Sequence, residues 1–509
     1  MDKVHVAIID DGVNEDAFYN IGKLAHAIEI TDQDKIIQAD NNDRCELSHG
    51  TICAAIVRQY APDVIMSSVK ILHDMRGTKE KLAAAIKWCI QHKVDVVNLS
   101  LGTEDYRDCN MVKTLVNYAY SKGLIIVAAG SNQNVITYPA SLSNVIGVKC
   151  DQEEKLEPGQ YRYCYYEMDG IDIMVNSVRR LAGKYNIAVE VSRTNSYAAP
   201  LVTALVSKLI HTYKIKNIEF IRQKLSHGSQ TRNKQSRCYH PFLYTEIDWA
   251  GKAVLFEIGE AEQPAYSGDF NIAVVFSIKN REEPLAVMKQ YFYQYEIQFD
   301  EIDTIIIHVN KSYSRGIAAQ NLIEYVSHKG KNIIYLNDNY QNDFFSIEDI
   351  KLTTKLYHPI LQGYRTIPKS EEVTLQVPII LVYNHSHSMI FDSLYLLQKF
   401  FRNDGYYAAV FTEKNSGLLY NLNYMPQAML YKGGTINRNL LHFQEKIYNA
   451  DIIIIEADQF FNALWKKIDV DIVIDIFPDK IYFNDKIFGY EEIEKIYQNI
   501  IGCFSRKEE

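Results

Sequence analysis

Five continuous apolar runs, "VHVAIIDDG", "VIMSSVKIL", "VDVVNLSLG", "GLIIVAAGS" and "NVIGVKC", recur through the first 150 residues. Runs this uniformly apolar suit strands buried on both faces, a property of parallel sheets. Between them, "GTKEKLAAAIKWCIQHK" and "DCNMVKTLVNYAYSKG" carry apolar residues at helical spacing. The alternation predicts an α/β fold, a parallel sheet with helices on both faces. Ligands in such sheets gather at the carboxyl ends of the strands, so the polar residues that end the runs are the candidates for chemistry.

The first run ends in "IIDDG", which puts Asp10 at a strand tip, and "CELSHGTICAAIV" puts His49 at the front of an apolar helix. "RTNSYAAPLVTALVSKL" puts Ser196 where another helix begins. Each has an ordinary reading. Asp-Gly is a common turn pair, a lone histidine caps a helix or sits in a core, and serine before an amphipathic run is an N-cap. Together they supply three distinct roles. A serine hydroxyl needs an imidazole to take its proton, and the imidazole needs a carboxylate to hold its tautomer. The chain order Asp, His, Ser is the order used by subtilisin.

The resemblance extends past three residues. "VAIIDDGV", "SHGTICAAIV" and "NSYAAPLVTALV" resemble the aspartate, histidine and T-S-M-A-x-P serine motifs of the subtilisin-like serine peptidases, in family order over residues 1 to about 230. Cys53, four residues after His49, stands where the proteinase K branch also has cysteine. The resemblance implies Asp10 as carboxylate, His49 as base and Ser196 as nucleophile, with Asp11 a turn residue where the family has Ser or Thr. "AAGSN" offers both Ser131 and Asn132 for the oxyanion role, and an ungapped alignment from Gly123 through Ala129 selects Asn132. Its amide and the backbone N–H of Ser196, at a helix N-terminus, would form a two-donor hole. The same resemblance implies an extended peptide pairing with Ser100, Leu101 and Gly102, as in strand addition. Ala128, Ala129 and Gly130 would form the opposite wall of the first specificity pocket, with Thr137 as its floor.

Two departures stand out. The nucleophile motif reads "TNS" where the family reads G-T-S, so Thr194 replaces a glycine and Asn195 a threonine. A threonine there predicts a backbone cost, and the asparagine is read as a cap or an extra donor. The segment after His49 is too short for the Asn-rich calcium loop of many relatives, so no structural calcium is expected at that site; no other metal and no cofactor is expected either.

At 509 residues the chain is too long for one core. The expected organisation is a subtilisin-like domain over 1–235, a linker over 236–268, a Rossmann-like α/β domain over 269–360 and a degenerate P-loop-like α/β domain over 376–509. The step "VPIILVYNHSHSMIFDSLYLLQKFF" has a strand-loop-helix layout without the glycines and lysine that wrap a phosphate, which argues against nucleotide. By layout this half resembles the nucleotide-fold proteins of clostridial peptide-maturation systems. His385 and His387 are too few to hold a metal without further ligands.

Lysine plus arginine number 54 against 63 acidic residues, a net charge of −9, and no basic field suggests nucleic acid or an anionic membrane as a partner. The N-terminal apolar run is too short for a signal peptide or membrane span, and with Asp10 so near the first residue no maturation by loss of a large N-terminal segment is expected. Eight cysteines without a C-x-x-C pair read as free thiols in a reducing cytoplasm. The expectation is a cytoplasmic serine endopeptidase acting on a peptide or protein, trimming a precursor or leader peptide in peptide natural-product maturation. The C-terminal region would bind the precursor or a maturation partner. The alternatives are a pseudopeptidase that serves as a peptide-binding scaffold, and a general intracellular protease.

Overall fold

The computed structural model describes residues 3–39, 47–74, 76–184, 188–229, 234–237, 239–259, 270–295, 299–313, 317–338, 350–365, 375–385, 390–432, 434–457, 462–468 and 470–505. The chain divides into two units, Met1–Pro241 and Phe242–Glu509.

In the first unit the sheet holds the strands β1 (His5–Asp10), β2 (His26–Ile30), β3 (Ile36–Gln38), β4 (Ile65–Lys70), β5 (Val96–Leu99), β6 (Ile125–Ala129), β7 (Ile146–Cys150), β8 (Tyr161–Tyr163) and β9 (Ile173–Val175), of which the five apolar runs form β1, β4, β5, β6 and β7. Their order across the sheet is β3-β2-β4-β1-β5-β6-β7-β9-β8. Pairing is parallel from β2 to β9 and antiparallel only where β3 and β8 close the two edges. The helices are α1 (His49–Tyr60), α2 (Lys79–Gln91), α3 (Cys109–Ser121), α4 (Asn195–Tyr213) and α5 (Ile218–His227).

The parallel strands are buried on both faces, as their composition demands. Ala7, Ile9, Val69, Val97, Leu99, Ile126 and Ala128 pack in one core with Leu82 and Ile86 of α2 and Leu115 and Val116 of α3. Helix α4 packs against β5, β6 and β7 and against α1. It is buried along most of its length, including Ala198, Leu201, Val202 and Val206, which fits its almost unbroken apolar sequence. Strand β1 lies between β4 and β5, and the chain crosses from one side of it to the other after β4. A ligand crevice forms at such a reversal, and Asp10 ends β1 there.

The second unit holds two further sheets. One has six parallel strands in the order Leu243–Tyr244, Leu356–Tyr357, Asn332–Asn337, Thr304–Val309, Ala253–Ile258 and Ile272–Ile278. The other has seven, of which the last two, Ile481–Phe483 and Lys486–Phe488, pair antiparallel. Within the stretch read as linker, "AVLFEI" is a fully buried interior strand of the six-stranded sheet, paired on both sides and next to the edge strand Ile272–Ile278. Its apolarity is that of the other interior strands, and the polar residues flanking it disguise the run as a connector. The strand Ile379–Asn384 and the helix Phe391–Asn403 take up the strand-loop-helix layout. His385 bonds Asp475 Oδ1 at 2.5 Å and stacks on Phe477, while His387 lies outside the described residues.

Candidate active site

Asp10 is almost wholly buried at the tip of β1, and its Oδ2 lies 2.9 Å from His49 Nδ1. Its other oxygen accepts the backbone N–H of Asp11 at 2.9 Å. A buried carboxylate bound to one ring nitrogen fixes the imidazole's orientation and leaves the other nitrogen for a substrate-side partner.

Several groups hold His49 at the first position of α1. Ser48 is the N-cap, accepting from Thr51 N at 3.2 Å and donating to Gly12 O at 2.8 Å. Asp11 does more than make a turn. Its two carboxylate oxygens accept the backbone N–H groups of His49, at 3.0 Å, and Gly50, at 2.8 Å. These are amides a helix start otherwise leaves without partners, and a carboxylate there also suits the helix dipole. Only glycine fits at position 50, because a Cβ would stand 2.5 Å from Gly12 O and 3.0 Å from Asp10 Cβ. The tip of β1 and the start of α1 are therefore pressed together around the Asp10–His49 bond.

Burial opposes a charge on His49, but the Cys53 sulfur and the Asp10 carboxylate outweigh it and hold the imidazole above its ordinary pKa. Burial pushes the Cys53 thiol up, against the lowering effect of His49. Burial likewise raises Asp10 above the usual carboxylate range, against the lowering effect of its bond to His49.

Ser196 is the second residue of α4. Pro200, four residues on, has no N–H to give the Ser196 carbonyl, which takes Ser100 Oγ at 2.7 Å and Cys53 Sγ at 3.9 Å. Cys53 Sγ also lies 3.9 Å from His49 Nδ1 and 3.5 Å from Ser100 Oγ. Ser100 is held by Asn98 Nδ2 at 3.0 Å, and Asn98 Oδ1 accepts from Thr203 Oγ1 of α4 at 3.0 Å. A missing helical hydrogen bond thus becomes a junction joining α1, the end of β5 and α4 next to His49. The Ser196 hydroxyl lies 3.1 Å from Thr194 Oγ1. Tyr197, where the family motif has methionine, stacks on the His49 ring with centroids 4.9 Å apart.

Thr194 has φ −136° and ψ 153°, extended backbone that any residue adopts. Threonine in place of glycine therefore carries no backbone strain here. Asn195 is buried, with its Oδ1 accepting Cys150 N at 2.7 Å and its Nδ2 donating to Gly130 O at 3.1 Å and Ser131 O at 2.7 Å. Its backbone N–H donates to Asn132 Oδ1 at 2.9 Å. Because a backbone N–H can only donate, the Asn132 oxygen must face it, which leaves the NH2 of this exposed side chain as a donor toward solvent.

The remaining candidates lie around the same strand ends. Ser100 commits its side chain to the Ser196 carbonyl, leaving its backbone for any peptide contact. Leu101 packs partly against the core, and Gly102 is exposed. A Cβ on Gly102 would stand 2.7 Å from Thr137 Cγ2 and 2.8 Å from Tyr138 O, so these segments close together. Thr103 and Tyr138 exchange backbone bonds of 2.8 Å beside them. Ala128 faces the core with α2 and α3, Ala129 is buried, and Gly130 is half-buried at the end of β6. Thr137 is buried, its hydroxyl accepting Ser131 N at 2.9 Å and donating to Val135 O at 3.0 Å.

Asp11, Asn195 and Tyr197 are the site residues that motif reading assigns least well. The Asp-Gly pair signals a turn, and the amides that Asp11 caps lie 38 and 39 residues away. The signals for the other two were the departures themselves, N for T and Y for M beside Ser196.

The family model of the subtilase family matches residues 1–242. The N-terminal unit is a subtilase. The thermophilic serine proteinase of Bacillus sp. (strain AK1) is 31% identical over 261 residues, covering 48% of this chain and 60% of that protein. A subtilisin of Bacillus sp. (strain TA39) is 30% identical over 190 residues, covering 33% of this chain and 43% of that protein. The chain thus spans less than two thirds of either relative. Among solved structures, the epidermin leader peptide processing serine protease (EpiP) from Staphylococcus aureus is 17% identical, covers 46% of this chain and 72% of its own, and gives a TM-score of 0.37. Among the described residues of the chain no helix is long and apolar enough to cross a membrane.

Proposed function

We propose that the chain is a serine endopeptidase in which Ser196 attacks a peptide carbonyl, His49 takes and returns the proton, and Asp10 holds and stabilises the imidazole. The observation that carries this reading is the 2.9 Å Asp10–His49 bond beside the start of α4, joined to it through Cys53 and Ser100. In the acylation step the Ser196 Oγ–C bond forms as its proton passes to His49, and the C–N bond breaks as that proton passes to the leaving amine. Water then repeats the exchange to release the acid. The developing oxyanion would be met by the Asn132 amide and the Ser196 N–H. Residues 100–102 would pair with an extended peptide, with 128–130 opposite and Thr137 beneath.

We further propose that the substrate is a precursor peptide, trimmed in the cytoplasm. The cytoplasmic assignment is supported by the buried free thiols Cys53, Cys89, Cys150 and Cys164. A dedicated substrate is supported by the second unit, Phe242–Glu509, an α/β body that peptide-bond hydrolysis itself does not require. Digestion of a complex library of unfolded peptides tests this. The expected result is a sparse set of cleavages sharing one sequence context, and degradation across the whole library would overturn it.

A further inference from the structure

Asn195, the residue before Ser196, ties the start of α4 to the end of β7 and to the turn after β6. Asn195 reaches the end of β7 through Cys150 N, and the turn after β6 through the carbonyls of Gly130 and Ser131. Both its N–H donors and its acceptor are in use, and the side chain is 3% exposed. Its backbone N–H meanwhile holds Asn132 by the oxygen. Gly130 and Ser131 directly precede Asn132, so Asn195 fixes both the loop that carries the Asn132 amide and the direction in which that amide points.

Three features make this more than a buried tie. Asn195 is adjacent to Ser196, so the rigid element that aims the hydroxyl is the one that holds the donor. The helix gains no side-chain cap from Thr194, so the bonds of Asn195 are spent on the loop and not on closing its own helix. Threonine, which the family motif has here, carries one hydroxyl and could not hold Cys150 N and both carbonyls at once.

We propose that Asn195 is a positioning residue for the oxyanion site, setting the distance and angle between the Ser196 hydroxyl and the Asn132 NH2. This rests on the reading of Asn132 as an oxyanion donor. Loss of one such donor costs on the order of 10²–10³-fold, and misplacing it by about 1 Å costs a large part of that.

The test uses the full chain and a fluorophosphonate probe, whose attack by Ser196 develops charge on the phosphoryl oxygen in the same hole. Asn195→Thr is compared with the parent protein, and the doubly substituted protein with Asn132→Ala. The expected result is a fall of about 10–100-fold in the maximal labelling rate of Asn195→Thr, with the half-saturating probe concentration within twofold of the parent. In the Asn132→Ala background the same substitution is expected to change the rate less than twofold. An equal loss in both backgrounds would overturn the proposal, since it would place the effect on Ser196 or on folding, as would no loss in the parent. An Asn132→Ala protein that labels at the parent rate would overturn the oxyanion reading itself, an outcome distinct from the other two. Where Asn195→Thr yields no folded protein, Asn195→Asp takes its place in the same comparison, since it keeps the acceptor for Cys150 and loses both donors.

Discussion

Ser196→Ala is expected to lower the maximal rate of peptide hydrolysis on the order of 10⁶-fold, the loss that subtilisin itself gives for its nucleophile. The size follows from what is removed. Without the hydroxyl no acyl intermediate forms, and His49 has no nucleophile to deprotonate, so the triad fails as a unit. Substrate binding and the oxyanion donors would still act, leaving a residual rate about 10³–10⁴-fold above uncatalysed hydrolysis. Folding should survive, because this hydroxyl bonds locally, to Thr194 Oγ1, and α4 draws its stability from its buried apolar side chains. Steady-state hydrolysis and thermal unfolding, measured on the same preparation, separate the two effects. A scaffold without catalysis would give equal and negligible rates for parent and variant.

Asp10→Asn is expected to cut turnover about 10⁴-fold while leaving the geometry near His49 intact, because an amide keeps the shape and loses the charge. It also carries a pH signature. His49 works as a base only when neutral, and its pKa lies above the ordinary value, so the acidic limb of kcat/KM in the parent should fall above pH 6.5. The Cys53 sulfur and the carboxylate both sustain that upward shift, and the substitution removes the carboxylate's share. Removing it stabilises the neutral ring, so the limb should move to lower pH in Asp10→Asn even as the rate falls. A pH–rate profile of the parent with its limb below 6.5, or one that does not move in the variant, would contradict the assignment of this pair.

Much of the first unit was legible because its signals are local. Buried parallel strands need uninterrupted apolar runs, and each of the five runs is a strand of the sheet, with Asp10 at the tip of the first. His49 and Ser196 begin helices, as their sequences suggest. What stayed hidden depends on partners distant in the chain. The bonds of Asp11 to the start of α1 exist only because the fold brings residue 11 against residue 49, and an Asp-Gly pair by itself says turn. The role of Asn195 needs β6 and β7 to end beside α4. Thr194 shows the reverse: family comparison suggested a glycine-only conformation, and the backbone there is ordinary extended chain. In the second unit, polar neighbours concealed the buried strand Ala253–Ile258 within an apparent linker.

The most direct test of the central claim is covalent. The full chain is treated with a fluorophosphonate probe, digested, and the adduct located by mass spectrometry, with Ser196→Ala and heat-denatured protein alongside. The account predicts one stoichiometric adduct on Ser196 in the native parent and none in either control. A folded parent that takes up no probe, or carries it on another residue, would contradict it.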